Sequence, residues 1–205
     1  MLAPTHSIFG VFLSSTILAL FGIQFSLHWT ILTCAILGSI MPDFDHSKSY
    51  LGKALPFLSR PLERKFGHRT ATHSLFGMLI STVIFGVLLL ICIAFLKAMG
   101  DFKILRPVTL GLQIRWIAAF GIGYFSHLLL DMFTPRGSQL FWPNTGRDVF
   151  TTNTKYLPKS GSKAEIIVFM VLLIFLFLSF PLSKYGLNTS LRWLLATPES
   201  VIAEF

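Results

Sequence analysis

Charged side chains are what this chain has least of. They make up 13% of its 205 residues and only nine are acidic, whereas a soluble globular domain carries about a quarter. That scarcity excludes a soluble domain of ordinary composition. Cysteine is nearly absent as well: Cys34 and Cys92 both fall in apolar stretches and read as packing residues, so they say little about redox compartment. No Gly-rich phosphate loop, no nucleophile elbow and no Cys/His couple occurs, so none of these competes as the source of chemistry. The N-terminus has neither a basic n-region nor an A-x-A-like cleavage site, and the first apolar stretch is expected to be retained as a helix.

What fills the chain instead is hydrocarbon. Hydrophobic residues make up 53% of it, 21 of them phenylalanine, and the mean hydropathy is +0.69, the composition of an integral membrane protein. Five stretches carry almost no charge: Ser7–Phe25, His28–Pro42, Thr72–Leu96, Trp116–Phe133 and Ile166–Leu182. About 20 apolar residues cross a hydrocarbon core of roughly 30 Å, so the first, third, fourth and fifth can span it and the second only by borrowing its flanks. The expected fold is all-α, a single multi-pass membrane domain over 1–205 with about five transmembrane helices. Residues 1–145 carry the motifs, and 146–205 hold a basic loop, the last helix and an interfacial tail.

Lysine and arginine set the expected orientation. With the N-terminus in the cytoplasm, the loops Asp43–Ala71 and Thr134–Lys163 share one side and hold eleven of the 17 basic residues, against six on the other. The positive-inside rule then makes that side cytoplasmic. The net charge of +8 reads as this asymmetry plus attraction to anionic headgroups; without a recognition motif, direct nucleic-acid binding is not expected.

The same topology gathers the polar chemistry. His6, Asp43, Asp45, His46, His68, His73, His127 and Asp131 all land on the cytoplasmic face, while His28, beside Trp29, reads as interfacial on the other. In "SHLLLDMF" the spacing of His127 and Asp131 puts both on one helix face, which suits two ligands of one metal ion. In "GSIMPDFDH", Pro42 ends a helix and Asp43 and Asp45 point the same way if the segment is extended. His68 and His73 stand about 140° apart on a continuous helix, so His73 is taken as the metal ligand and His68, with Arg69, as a contact or proton donor to phosphate. Thr5-His6-Ser7 recurs as Thr72-His73-Ser74, with the threonines as expected N-caps, and this raises His6 as a ligand. Imidazole with carboxylate suits Zn²⁺, or Mn²⁺, better than Mg²⁺ or Ca²⁺. Arg136, in the aromatic and basic loop 134–163, is a further expected phosphate contact, and that loop a lid at headgroup depth.

The stretches "PTHS", "GSIMPDFDH", "HRTATHS" and "GYFSHLLLDMFTPRGSQLFWP" resemble, in order, the bacterial inner-membrane metal-dependent hydrolase family, the YdjM-like proteins also described as LexA-binding. The resemblance implies a multi-pass inner-membrane hydrolase and a LexA-like protein partner. The order of ligands is also similar to that of the zinc-dependent phospholipase C and S1/P1 nuclease group, which implies Asp45, His73, His127 and Asp131 on one zinc and His6 with Asp131 on a second. Two departures follow: no histidine lies beyond His127, and the N-terminal amine those enzymes use is not expected here, because His6 follows Met1.

The function expected from these residues is metal-dependent hydrolysis of a phosphoester, lipid-borne, with Asp43 or Asp45 as base or ligand to the attacking water and His68, Arg69 and Arg136 on the phosphate. The alternative is a non-catalytic metal-binding regulator or a transporter-like protein that recruits a partner. Ionisable groups clustered at one face, and not at mid-membrane, favour surface chemistry.

Overall fold

The computed structural model describes residues 1–21, 29–100, 108–144, 146–151 and 153–185. Among them lie seven helices and no strand: α1 (Ala3–Leu20), α2 (Trp29–Ile40), α3 (Tyr50–Ala54), α4 (Pro56–Phe66), α5 (Leu75–Met99), α6 (Leu110–Met132) and α7 (Lys163–Tyr185). Of the three 3₁₀ turns among the described residues, Met41–Asp45 follows α2, Ala71–His73 precedes α5 and Thr154–Tyr156 precedes α7. His28 and the tail from Asn188 to Phe205 lie outside the described residues.

The all-helical class is as expected, but the number of membrane spans is not established at five. Among the described residues two helices, α1 and α5, are long and apolar enough to cross a membrane by length and composition. The physical reasons are local. The 12 residues of α2 rise only about 18 Å. The 23 residues of α6 are long enough, but Gln113, Arg115, Ser126, His127 and Asp131 dilute its apolar surface, and Gln113, Ser126, His127 and Asp131 are buried against other helices. Of α7, side chains are described only to Ser179; Ile167, Phe177 and Leu178 among them are exposed, as are Leu79, Leu88 and Ile91 on α5. Exposed apolar faces of this kind suit a hydrocarbon solvent.

The core is a close packing of α2 on α6, flanked by α1, with α7 on α1 and α5 on α6. Small residues make it possible. A Cβ on Gly38 would stand 2.0 Å from the Phe120 carbonyl oxygen, and one on Gly123 2.2 Å from that of Ala35. Glycine therefore lets the two backbones touch, the device that replaces hydrophobic driving force between helices in lipid. Around this seam Ile31, Cys34, Ala35, Phe120, Tyr124 and Leu128 are buried.

The helix starts differ from expectation in detail. Leu2 is the N-cap of α1, and the Thr5 hydroxyl donates 3.0 Å to Glu165. At α5 the cap is Ser74, whose oxygen accepts 3.0 Å from the Gly77 N–H, while the Thr72 hydroxyl turns to Asp45. The two Thr-His-Ser copies thus adopt different structures: one lies in the first turn of α1, the other in the 3₁₀ turn and cap before α5. Buried Glu165, unremarked in the sequence, ties α7 to α1: its carboxylate also accepts from the Leu2 N–H and, at 2.6 Å, from the Gly161 N–H. An acceptor at the start of α1 satisfies free helix donors and suits the helix dipole.

Candidate metal centre

Antiparallel packing brings one end of five helices together: the starts of α1, α5 and α7 and the ends of α2 and α6. His6, His73, His127, Asp45 and Asp131 are buried there, with Asp43 and His68 partly so.

His127 and Asp131 meet as the one-turn spacing requires, with Nε2 3.7 Å from Oδ2. The other ring nitrogen of His127, Nδ1, donates 2.6 Å to the Ser39 carbonyl, which fixes the tautomer and turns Nε2 inward. The Gly38–Gly123 approach of α2 and α6 makes that bond possible, since Ser39 adjoins Gly38 and Gly123 is one turn before His127. His6 stacks on His127 with ring centroids 3.7 Å apart, its Nε2 3.7 Å from Asp131 Oδ1. His73 Nε2 lies 3.5 Å from Asp131 Oδ2 and 3.6 Å from Asp43 Oδ1, and Asp43 Oδ1 is 3.7 Å from His127 Nε2.

These separations are too long for hydrogen bonds. They are close to the spacing of about 3.4 Å between ligand atoms on a tetrahedral ion with bonds of about 2.0–2.1 Å. Both ring nitrogens of His6, Nε2 of His73 and of His127, and Oδ2 of Asp131 are buried with no hydrogen-bond partner. Buried polar atoms are nearly always partnered, so this donor set fits a cation. It divides into two groups, His6–His127–Asp131 and Asp43–His68–His73, each with ligand atoms within 4.8 Å of one another.

The two aspartates of "PDFD" do not point the same way. Met41–Asp45 is a 3₁₀ turn, not an extended segment, and at three residues per turn positions two apart diverge by about 240°. Asp43 therefore faces His73 and His127, whereas Asp45, itself buried, faces the loop before α5. Its carboxylate accepts from the Thr72 hydroxyl and, at 3.3 Å, from the Arg69 N–H; His68 Nδ1 lies 2.7 Å from it and His73 Nδ1 3.4 Å. Asp45 thus sits behind the histidines, and Asp43 occupies the position facing the inward nitrogens.

His68 and His73, kept apart by the helical-wheel reading, come together with ring centroids 5.0 Å apart. The chain between them is not a helix: Gly67 (φ 75°) and Arg69 (φ 67°) are left-handed and fold it back. Left-handed φ at an arginine is a strain held by its contacts. Arg69 donates 2.9 Å to Asp131 Oδ1 and 3.0 Å to Thr134 Oγ1, so its guanidinium is engaged with the cluster. The Met1 amine also lies near, 3.5 Å from Asp131 Oδ1, contrary to the expectation that no N-terminal amine reaches the site. Arg136 is exposed, and no described hydrogen bond or ion pair involves it. His46 stacks on His68 and pairs with Glu63 at 3.0 Å, in the loop and not at the centre.

Burial disfavours the charged form of His73, but the carboxylates of Asp43, Asp45 and Asp131 beside it outweigh burial and raise its pKa to about 9. Burial pushes the Asp43 carboxyl up, yet the neighbouring imidazoles of His73, His127 and His6 hold it well below the usual range. Asp45 is held low in the same way by His68 and His73.

Ser39 and Glu165 were not legible as parts of this region, and the sequence marks Thr72 only as a helix cap. Ser39 acts through its backbone carbonyl, which leaves no trace in residue type, and Glu165 lies 34 residues past Asp131.

A family model described as "YdjM inner membrane protein" matches residues 1–189. The chain is 32% identical over 166 residues to "Inner membrane protein YdjM" of Escherichia coli (strain K12), which covers 80% of this chain and 73% of that protein. The protein of the same description from Shigella flexneri matches to the same extent. "Uncharacterized protein YvsG" of Bacillus subtilis (strain 168) is 33% identical over 132 residues, 64% of this chain and 66% of that protein. No solved structure matches the chain.

Proposed function

Because this chain belongs to the YdjM inner membrane protein family, we propose that it is a multi-pass inner-membrane hydrolase whose His/Asp centre binds Zn²⁺, or Mn²⁺, and cleaves a lipid-borne phosphoester. The observation that carries the reading is the set of inward histidine nitrogens, buried and without hydrogen-bond partners, around the carboxylates of Asp43 and Asp131. His6, His127 and Asp131 hold one ion, and Asp43, His73 and His68 a second. A divalent ion at such a site supplies a Lewis acid for a phosphoryl oxygen and lowers the pKa of water toward neutrality.

The chain's own residues do the rest. The Ser39 carbonyl orients His127, Asp45 orients His68 and His73, and Arg69 holds Asp131 while placing a fixed positive charge at the centre. Topologically, the alternation of helices puts loops 43–71 and 134–163 on one face, and their eleven basic residues favour the cytoplasm for that face and for the N-terminus.

Purified protein analysed for metal, beside the His127→Ala, Asp131→Ala double variant, tests the reading. Stoichiometric zinc or manganese in the wild type, reduced in the variant by the ion of His6, His127 and Asp131, with turnover of a phospholipid or isoprenoid phosphate by the wild type, is the expected result. A wild type without stoichiometric metal rules the hydrolase out. Bound metal with no turnover of either class transfers the role to a metal-binding regulator that recruits a partner, a LexA-like protein being the family's suggestion, or to a transporter-like protein.

A further inference from the structure

A cavity of about 560 Å³ opens beside the centre, between the start of α1 and the segment from Ile40 to Lys53. Its size lies within the range of about 300–1,000 Å³ typical of small-molecule sites. Leu2, Pro4, Ile40 and Leu51 supply an apolar wall, and Lys48 and Lys53 line it with exposed ammonium groups. Neither lysine takes part in a described ion pair or hydrogen bond to a carboxylate. Asp43 lines the cavity as well, and its Oδ1 is the atom that faces His73 and His127. Asp43 is therefore a side chain shared by the wall of the cavity and the centre.

We propose that this cavity binds an anionic phospholipid, its phosphate held by Lys48 and Lys53 beside Asp43 and the upper part of its acyl chains against Leu2, Pro4, Ile40 and Leu51. Charge decides the headgroup: two unpaired ammonium groups at a cavity mouth attract an anion and leave a zwitterion with less gain. Hydrophobicity decides the remainder, because the apolar wall is built at the ends of α1 and α2, where a membrane helix passes into the headgroup layer. The fate of the bound lipid rests on the hydrolase reading above; its binding does not.

Native mass spectrometry of the full chain in detergent, with dioleoyl phosphatidic acid, dioleoyl phosphatidylcholine or inorganic phosphate added, tests the proposal. Phosphatidic acid is expected to be retained about tenfold or more over phosphatidylcholine, and the Lys48→Gln, Lys53→Gln double variant to lose most of that preference. Leu51→Trp, which fills the cavity and leaves both lysines, is expected to lose phosphatidic acid altogether. Phosphatidic acid held equally by wild type and both variants overturns the proposal, as does its displacement by an equal concentration of inorganic phosphate. Asp131→Asn separates this from the hydrolase reading: lipid retained by a variant that has lost the ion of His6, His127 and Asp131, and turnover with it, supports the lipid site while the hydrolytic reading is judged on metal and turnover alone.

Discussion

At Asp131 three kinds of group converge on one carboxylate: the Arg69 guanidinium at 2.9 Å, the Met1 amine at 3.5 Å, and the imidazoles of His6, His73 and His127 at 3.5–3.7 Å. Replacing it by asparagine keeps the shape and removes the charge. Metal content is expected to fall by the ion that His6, His127 and Asp131 hold, read by elemental analysis, while Asp45→Asn, which sits behind His68 and His73, weakens binding by about 10–100-fold in a chelator competition. His73 gives the site its pH dependence. Its pKa of about 9 in the folded chain lies above an ordinary value of about 6.5, so its stabilisation is complete below 6.5 and lost as pH rises through 9. At pH 7 the metal-free protein carries a proton on His73 that a metal must displace. Calorimetry at pH 7 in buffers of different ionisation heat is expected to detect proton release on zinc binding, with affinity rising up to about pH 9 and levelling there. An affinity flat between pH 7 and 9 removes His73 from the ligand set.

At the scale of elements, the α2–α6 seam and the α1–α7 junction carry the load. Gly38→Ala drives a methyl into the Phe120 carbonyl, where the helix backbone cannot yield as a side chain would. The expected cost is about 1–3 kcal/mol or more by thermal unfolding in detergent. Metal is lost too, because His127 is oriented by Ser39 one residue from that contact. Gly111→Ala, where the nearest atom is 3.9 Å away, is the control expected to change little. Glu165→Ala leaves buried Thr5 and the Leu2 and Gly161 N–H groups without their acceptor, and is expected to destabilise by about 1–3 kcal/mol. Helix α4 is different in kind. It turns Phe57 and Leu58 outward beside Arg60, Arg64 and Lys65, and Phe66 packs edge-on to Trp142 of the later basic loop.

At the scale of the molecule, the chain divides its surface between apolar helix walls and one polar, basic end. The predicted consequence concerns topology: cysteines introduced at exposed Lys53 and Lys159 are expected to react with a membrane-impermeant maleimide only once the inner membrane is opened. Labelling of either in intact spheroplasts reverses the orientation proposed here.

Composition and spacing by themselves determined much of this. Hydrophobicity dictated an all-helical membrane-type chain, because a backbone without water must satisfy its hydrogen bonds within helices. The i, i+4 spacing put His127 with Asp131, and helix alternation carried His6 and His73 to the same end. Only the tertiary structure decided which aspartate faces inward and that His68 joins His73. Both depend on backbone conformation between helices, a 3₁₀ turn at 41–45 and left-handed Gly67 and Arg69, and short polar segments encode such angles weakly. It alone brought Arg69 onto Asp131 and Glu165 to the start of α1, since contacts across 62 and 160 residues leave no periodicity to read. The close approach of α2 and α6 was likewise invisible, because a glycine records the room for a neighbouring backbone but not which backbone fills it.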